Sequence, residues 1–252
     1  MSESGDPERE DLAAVKETAW REIAELDAEL ASGRIDEQGW QDRVADLVRE
    51  AYLKVGTPWG QSGHRGPEDR WTKAREIVVD ALDRDGTFLD GGCANGYLME
   101  CVQRWAGERG LHVEPYGVDI VPELAELARR RLPRWADRIW TGNLLTWTPP
   151  RRFDTVRIGL EYAPPTRREQ LVGRTLTELV APSGQLLIGP YTEEPDSYET
   201  VEAVREWGYL VGRMLEVAHP DVRVVRRLLV LPAPAATATV TSLDERRRRR
   251  AR

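Results

Sequence analysis

The 252-residue chain is 40% hydrophobic and 31% charged, which is the balance of a globular protein with one large core. Its two cysteines, Cys93 and Cys101, are too few for a disulfide framework or a cysteine-rich zinc site. The net charge is −7, and it is −13 without the six arginines among the last seven residues. Such an acidic body repels nucleic acid.

The two ends of the chain are predicted to be disordered tails. Residues 1–11 are polar and acidic where a secretory signal would be basic and then apolar, and no window approaches 18 uncharged apolar residues. We therefore expect a cytoplasmic protein with no membrane association. Residues 236–252 end in the arginine run, which is typical of a solvated end, and recruitment of nucleic acid by this tail is the alternative.

Residues 12–76 are predicted to form a helical cap with a gate loop. Apolar residues three or four apart indicate one helix from Thr18 to Gly33 and a second over about 36–55. The segment 57–71 is rich in glycine and proline. Its aromatic and hydrogen-bonding side chains include Trp59, Gln61, Ser62 and His64. This composition suits a gate over a ligand site, and an exposed connector is the equal alternative.

From Thr87 onward, short apolar runs alternate with helical stretches. The predicted strands are 87–90, 113–119, 138–142, 153–160, 184–190 and 223–231. The predicted helices are 96–109, 122–132, 166–180 and 198–210. Alternation of this kind builds a mainly parallel sheet with helices on both faces. We assign this α/β core to residues 77–235.

A glycine-rich turn joins the first predicted strand to its helix, in the segment Asp90-Gly91-Gly92-Cys93-Ala94-Asn95-Gly96. Glycines let a ligand approach the main chain, and the helix beyond them offers free N–H groups. The spacing fails the G-x-G-x-x-G dinucleotide fingerprint, and the Gly-Lys-Ser/Thr of a phosphate-binding loop is absent. The turn therefore indicates a ligand that is neither a dinucleotide nor a nucleoside triphosphate.

Two acids flank this turn. Asp119 ends the second strand, where a carboxylate is placed to accept both hydroxyls of a ribose. Asp90 precedes the turn, where its charge would favour an ammonium or a sulfonium. Together they predict a cationic, phosphate-free adenosine derivative, although Asp119 has the alternative of capping the helix that begins at Pro122.

With these features, residues 77 to about 232 resemble the class I S-adenosylmethionine-dependent methyltransferases. The segment FLDGGCANG departs from the usual pattern only at Ala94, and TGNLLTW resembles the third-strand end that meets the adenine. The resemblance implies a Rossmann-like, doubly wound, seven-stranded sheet under an N-terminal helical cap, with S-adenosyl-L-methionine as co-substrate. The cofactor-binding residues it implies are Asp90, Gly91, Gly92, Cys93, Gly96, Asp119, Ile120, Asn143 and Leu144. For Asn143, a simple turn in the chain is the alternative.

The candidate catalytic residues are Glu161, Tyr162 and His64. In the resembled family the loop after the fourth strand faces the donated methyl group, and here that loop contains Glu161 and Tyr162. It lacks the Asn/Asp-Pro-Pro-Tyr/Phe motif, which argues against methylation of nucleic-acid bases or glutamine. His64 lies in the gate loop and is the other candidate base.

No metal site is predicted. Glu193, Glu194 and Asp196 flank Pro195 after the fifth strand and are interpreted as a solvated face.

The sequence thus predicts an enzyme that transfers a methyl group to an oxygen or nitrogen of a small molecule, with secondary metabolism as the suggested context. Substrate choice is assigned to the tryptophan-rich N-terminal cap. Two alternatives stay open, an RNA or protein methyltransferase and a non-catalytic adenosine-ligand-binding protein of the same fold. Whether the protein is a monomer or a homodimer is also left open.

Overall fold

Seven strands form one sheet in the computed structural model, which describes residues 22–23, 25–64 and 66–234. The order across the sheet is β3-β2-β1-β4-β5-β7-β6. The strands are β1 (Gly86–Gly91), β2 (Val113–Asp119), β3 (Ile139–Thr141), β4 (Phe153–Ile158), β5 (Val180–Glu193), β6 (Arg213–Ala218) and β7 (Val225–Pro232). The predicted tails, 1–11 and 236–252, lie outside the described residues.

The helices cover the sheet and its edge. They are α1 (Glu37–Leu53), α2 (Glu68–Arg75), α3 (Ile77–Asp80), α4 (Tyr97–Glu108), α5 (Pro122–Arg131), α6 (Arg168–Arg174) and α7 (Glu199–Glu206). Before α1, residues 22–23 and 25–31 are helical. None of the helices in the described ranges combines the length and apolar composition that a bilayer crossing requires.

The sheet is mixed, with β7 as its single reversed strand. Neighbours from β3 through β5 are parallel, whereas β7 is antiparallel to both β5 and β6. The prediction of an α/β, mainly parallel, seven-stranded sheet is therefore confirmed, with an antiparallel β6–β7 hairpin added. The pattern of apolar runs does not predict β6, because this edge strand has no buried residue.

The predicted helix 166–180 ends within one residue of its expected end but changes type before it. Regular α-helix stops at Arg174, and one π-helical turn, Thr175–Leu179, leads directly into β5. The strand begins earlier than predicted because Val180 already pairs with Phe153. Residues 181–184 then bulge out of the β4–β5 ladder, and pairing resumes at Gln185.

The two faces of the sheet bury separate clusters, and alternation along each strand decides which side chain joins which cluster. On β1, Leu89 packs on the face covered by α6 and α7, whereas Phe88 packs on the opposite face with Trp71 of α2. Both side chains are fully buried. The polar residues at the strand ends are thereby held on a rigid frame.

The predicted solvated acids after β5 are only partly solvated. Glu194 and Asp196 are exposed, but Glu193 is 10% exposed and lies 2.9 Å from Nη1 of Arg227, which is itself 1% exposed. Arg227 Nε also lies 2.9 Å from Glu216, and its Nη2 donates to the Pro195 carbonyl at 2.6 Å. Arg227 therefore fixes the loop that follows β5.

Replacing Arg227 should destabilise the fold strongly. Arg227→Ala leaves the buried Glu193 carboxylate without its cation, which costs about 3 kcal/mol. The exposed pair Arg49–Asp46 offers a matched control, and Arg49→Ala should cost less than about 1 kcal/mol. Urea denaturation measures both values. Equal losses for the two variants would contradict the structural role given to Arg227.

Candidate active site

The glycine-rich turn lies at the carboxyl edge of the sheet, directly beside the end of β2. The N–H groups of Gly92 and Cys93 both donate to the Val118 carbonyl, at 2.8 and 3.1 Å. Gly92 and Ala94 have positive φ angles of 70° and 46°. The turn thus follows a tight path in which Ala94 occupies a backbone region that glycine adopts more easily.

Two of the predicted cofactor-binding glycines leave no room for a side chain. A Cβ atom on Gly91 would lie 2.9 Å from both the Arg157 carbonyl oxygen and Leu144 Cδ1. A Cβ atom on Gly92 would lie 2.7 Å from Cζ of Tyr162. The turn, Leu144 and Tyr162 are therefore in direct contact, as a common binding site requires.

Two other predicted residues of the turn, Gly96 and Cys93, contact buried apolar residues instead of Leu144 and Tyr162. Gly96 has a φ of 74°, and a Cβ atom there would meet Leu132 just after α5 at 2.7 Å. The Cys93 side chain is buried in a cluster with Met99, and burial raises the pKa of its thiol well above the usual value. These two positions shape the turn through backbone and packing.

Asp119 joins the turn to the start of α5. Its Oδ2 accepts the Ala94 N–H at 2.7 Å and its Oδ1 accepts the Val121 N–H at 2.8 Å. The capping alternative is wrong, because Val121 is the N-cap residue of α5 and no side chain caps this helix. Each Asp119 oxygen keeps a lone pair for a further donor. Burial raises the pKa of Asp119 to about 6. The neighbouring Ile120 is 40% exposed and offers apolar surface at the same place.

Asn143 both turns the chain and connects to the N-terminal region. Its Oδ1 accepts the Leu145 N–H at 2.9 Å, as the turn alternative requires. Its Nδ2 donates to Oε1 of Gln41 on α1, at 2.6 Å. On the same helix, Tyr52 packs against a small buried cluster that contains Ala94. Helix α1 therefore covers the edge at which the predicted cofactor-binding residues meet.

Arg157 is a site residue that sequence reasoning missed. It is 5% exposed and pairs in register with Asp90 on the neighbouring strand. Its Nη1 lies 3.3 Å from Asp90 Oδ1 and donates to Tyr162 Oη at 2.8 Å, while its Nε donates to the Gly189 carbonyl at 2.6 Å. Burial still raises the pKa of Asp90 to about 6, against the opposing effect of Arg157. The available signal was an arginine between the apolar residues Val156 and Ile158 of the buried strand β4.

The three candidate catalytic residues occupy different positions. The Tyr162 ring contacts the turn, and burial raises the pKa of its hydroxyl, which therefore stays protonated at neutral pH. Glu161 is exposed, and its carboxylate folds over Gly159. His64 is half-buried in the gate loop beside Gly66. Within the described ranges, no three His, Cys, Asp or Glu side chains form a metal site.

No family model and no curated protein matches the chain. Among solved structures, the Burkholderia thailandensis 1,6-didemethyltoxoflavin-N1-methyltransferase superposes with a TM-score of 0.57 at 16% identity, covering 79% of this chain and 91% of that one. The magnesium protoporphyrin IX methyltransferase ChlM of Synechocystis PCC 6803 gives 0.54 at 14% identity, covering 79% and 98%.

The chain has the fold of the class I methyltransferases. That fold also occurs in the [4+2]-cyclase SpnF, which superposes with a TM-score of 0.56 at 12% identity and covers 79% of this chain and 96% of that one. At such identities the similarity concerns the fold. A shared fold does not determine an activity, which depends on the residues of the site.

A side chain at position 92 should destabilise the protein. Gly92→Ala meets both the left-handed backbone and the Tyr162 ring, so we expect a loss of about 2 kcal/mol in unfolding free energy. Gly107→Ala in α4 meets nothing within 4 Å and should stabilise by about 0.5 kcal/mol. Chemical denaturation compares them, and adding Tyr162→Ala should recover part of the first loss. A Gly92→Ala protein as stable as the original would refute this contact.

Proposed function

We propose that the protein is an S-adenosylmethionine-dependent methyltransferase that methylates an oxygen or nitrogen of a small molecule. The observation that carries the proposal is the pairing of a side-chain-free turn at Gly91 and Gly92 with the Asp119 carboxylate. Each Asp119 oxygen accepts one main-chain N–H and keeps capacity for a second donor, which suits two vicinal hydroxyls. The shared methyltransferase fold supports the same assignment.

The residues of the site fit the donor in three places. Asp119 would accept the ribose hydroxyls, and the exposed part of Ile120 would pack on the flat adenosine. Asn143 and Leu144 would meet the adenine, and Asp90, already paired with Arg157 at 3.3 Å, would lie beneath the turn. When bound, the sulfonium supplies the methyl group. Because Tyr162 covers Gly92 and Gln41 occupies the Asn143 amide, both side chains would have to move aside.

The chain's own residues would serve alignment, exclusion of water and proton handling. Alignment of bound reactants alone can supply on the order of 7 to 11 kcal/mol of a barrier, so an amine acceptor needs no dedicated base. For a hydroxyl acceptor, the exposed Glu161 is the base that this geometry favours, and His64 in the gate loop is the second candidate. Tyr162 keeps its proton and would act as a hydrogen-bond donor, because Arg157 already donates to its oxygen.

We also propose that residues 12–76 form a cap that selects the acceptor. Support comes from α1, whose Gln41 accepts from Asn143 and whose Tyr52 packs against the cluster that contains Ala94 of the turn. A second contact joins Glu37 of α1 to Arg167, after the loop that contains Glu161 and Tyr162. A small molecule enclosed in this way needs no nucleic-acid surface.

The cyclase of the same fold supports a second candidate, an adenosine-binding protein that does not transfer a methyl group. The two functions differ in turnover. A methyltransferase should release S-adenosylhomocysteine when S-adenosylmethionine and a panel of small amines, phenols and acids are supplied together. Donor binding with no release from any acceptor would favour the second candidate.

Removing the Asp119 carboxylate should weaken donor binding. Asp119→Ala is expected to lower the affinity for S-adenosylhomocysteine at least tenfold, the scale of losing hydrogen bonds to a hydroxyl pair at about 1.4 kcal/mol. Calorimetric titration measures the affinity, with the exposed Asp196→Ala as control. Asp119→Asn, which retains one acceptor, separates loss of binding from loss of folding. Unchanged affinity in both Asp119 variants would rule out this ribose site.

Donor affinity should also depend on pH. Because the Asp119 pKa is about 6, the carboxylate that accepts the hydroxyls is lost as the pH falls through 6. We expect the affinity for S-adenosylhomocysteine to be constant from pH 7 to 8 and to fall below pH 6. In Asp119→Asn, which has no group to titrate at this position, the fall should be smaller. The same titration series in both proteins provides the comparison.

A further inference from the structure

Two arginines lie on one face of the sheet near its carboxyl edge, and a third lies on the helix that packs on that face. On β4, Val156 and Ile158 belong to the opposite face, so Arg157 between them lies on the face of Trp71 and Phe88. On β7, Arg226 alternates with Arg227 and shares its face with Leu228, which packs in the same cluster as Trp71. Arg75 is the last residue of α2, one turn beyond Trp71. The fold thus brings together guanidinium groups from three separate elements.

Within the described ranges, two of these guanidinium groups form no salt bridge with an acidic side chain. Arg157 is bonded to Asp90, Tyr162 and a main-chain carbonyl. By contrast, no hydrogen bond or salt bridge joins Arg75 or Arg226 to any residue in the described part of the chain, although both are half-buried. The adjacent Arg227 shows the usual solution, with two glutamates around it. Burying a cation without a partner destabilises the fold. We therefore look for a function that retains these two arginines.

The electrostatics agree with this geometry. Burial, and then the positive charge of Arg75, lower the pKa of Arg226 to about 10. Burial and then Arg157 lower the pKa of Arg75, against the opposing effects of Tyr162, Tyr52 and Glu161. Glu161 is the acidic side chain that acts on Arg75, and it is exposed to solvent. Arg75 is therefore repelled by both other arginines, and the group would gain from a shared anion.

We propose that Arg75 and Arg226, with Arg157 beside them, bind a carboxylate or phosphate group of the methyl acceptor. The protein would then methylate small organic acids or phosphate esters. This inference rests on the proposed function, because it names the acceptor class for the same site.

The methionine carboxylate of the donor is the other source of such a group. The position of β7 favours the acceptor, rather than the donor, as the source of the anionic group. The donor turn follows β1, and β7 lies three strand spacings away across β4 and β5, about 14 Å at the usual spacing between strands. Arg226 on β7 is therefore displaced from the turn toward the side where the acceptor would lie.

The test uses benzoate and phenyl phosphate as probes, with benzamide as the neutral counterpart. Each is titrated calorimetrically into the full-length protein, with and without saturating S-adenosylhomocysteine. We expect binding of an anionic probe but not of benzamide, and at least tenfold weaker binding in Arg75→Gln and Arg226→Gln. Arg226→Lys, which keeps the charge, should recover part of the affinity. Arg223→Gln removes an exposed arginine from the same region and should bind as the original does.

Donor binding and stability provide the remaining readouts. The affinity for S-adenosylhomocysteine should stay within twofold in Arg226→Gln, and its melting temperature should be unchanged or higher because a like-charge repulsion is removed. A tenfold loss of S-adenosylhomocysteine binding would assign the arginine to the donor carboxylate and overturn the proposal. So would a lower melting temperature, or failure of both anionic probes to bind the original protein. Anion binding without any S-adenosylhomocysteine binding would instead reject the proposed function and leave the anion site standing.

Discussion

The site depends on one buried carboxylate. Asp119 accepts two main-chain N–H groups, one from the turn after β1 and one from the start of α5, and so fixes the relative positions of two segments that the sheet alone would not hold. The cost is a charge in a poorly solvated place, which appears as a raised pKa. A ligand that donates hydrogen bonds to the free lone pairs would relieve that cost, so the same group serves the fold and the proposed donor site.

Local sequence predicted the features that local rules determine. The turn from Asp90 to Gly96 is recognisable because its glycines fall between a buried strand and an amphipathic helix, and the structure places it at the carboxyl edge of the sheet. Asp119 follows from the same reasoning one strand later. Neither prediction required knowledge of distant contacts, because the carboxyl ends of parallel strands meet at one edge.

The arginines could not be predicted in this way, because their roles depend on pairing between strands. Arg226 and Arg227 are identical neighbours in sequence, yet alternation along β7 gives Arg227 two glutamates and leaves Arg226 without an acidic partner among the described residues. The role of Arg157 depends on the register between β4 and β1, which places it beside Asp90. The contact between Gln41 and Asn143 likewise spans 102 positions of the chain. Register and long-range contacts of this kind are not encoded in any short segment.

The distribution of charge limits which acceptor group the arginines can usefully hold. In methyl transfer from a sulfonium to an anionic nucleophile, opposite charges are neutralised as the new bond forms. Guanidinium groups against the reacting anion would stabilise that charge most in the ground state and would therefore slow the reaction. An anionic group away from the reacting atom keeps its charge throughout, so its binding energy can be used for positioning without raising the barrier. The separation of Arg226 on β7 from the turn after β1 suits this second arrangement. It favours acceptors in which the acid and the methylated oxygen or nitrogen are different groups on one molecule.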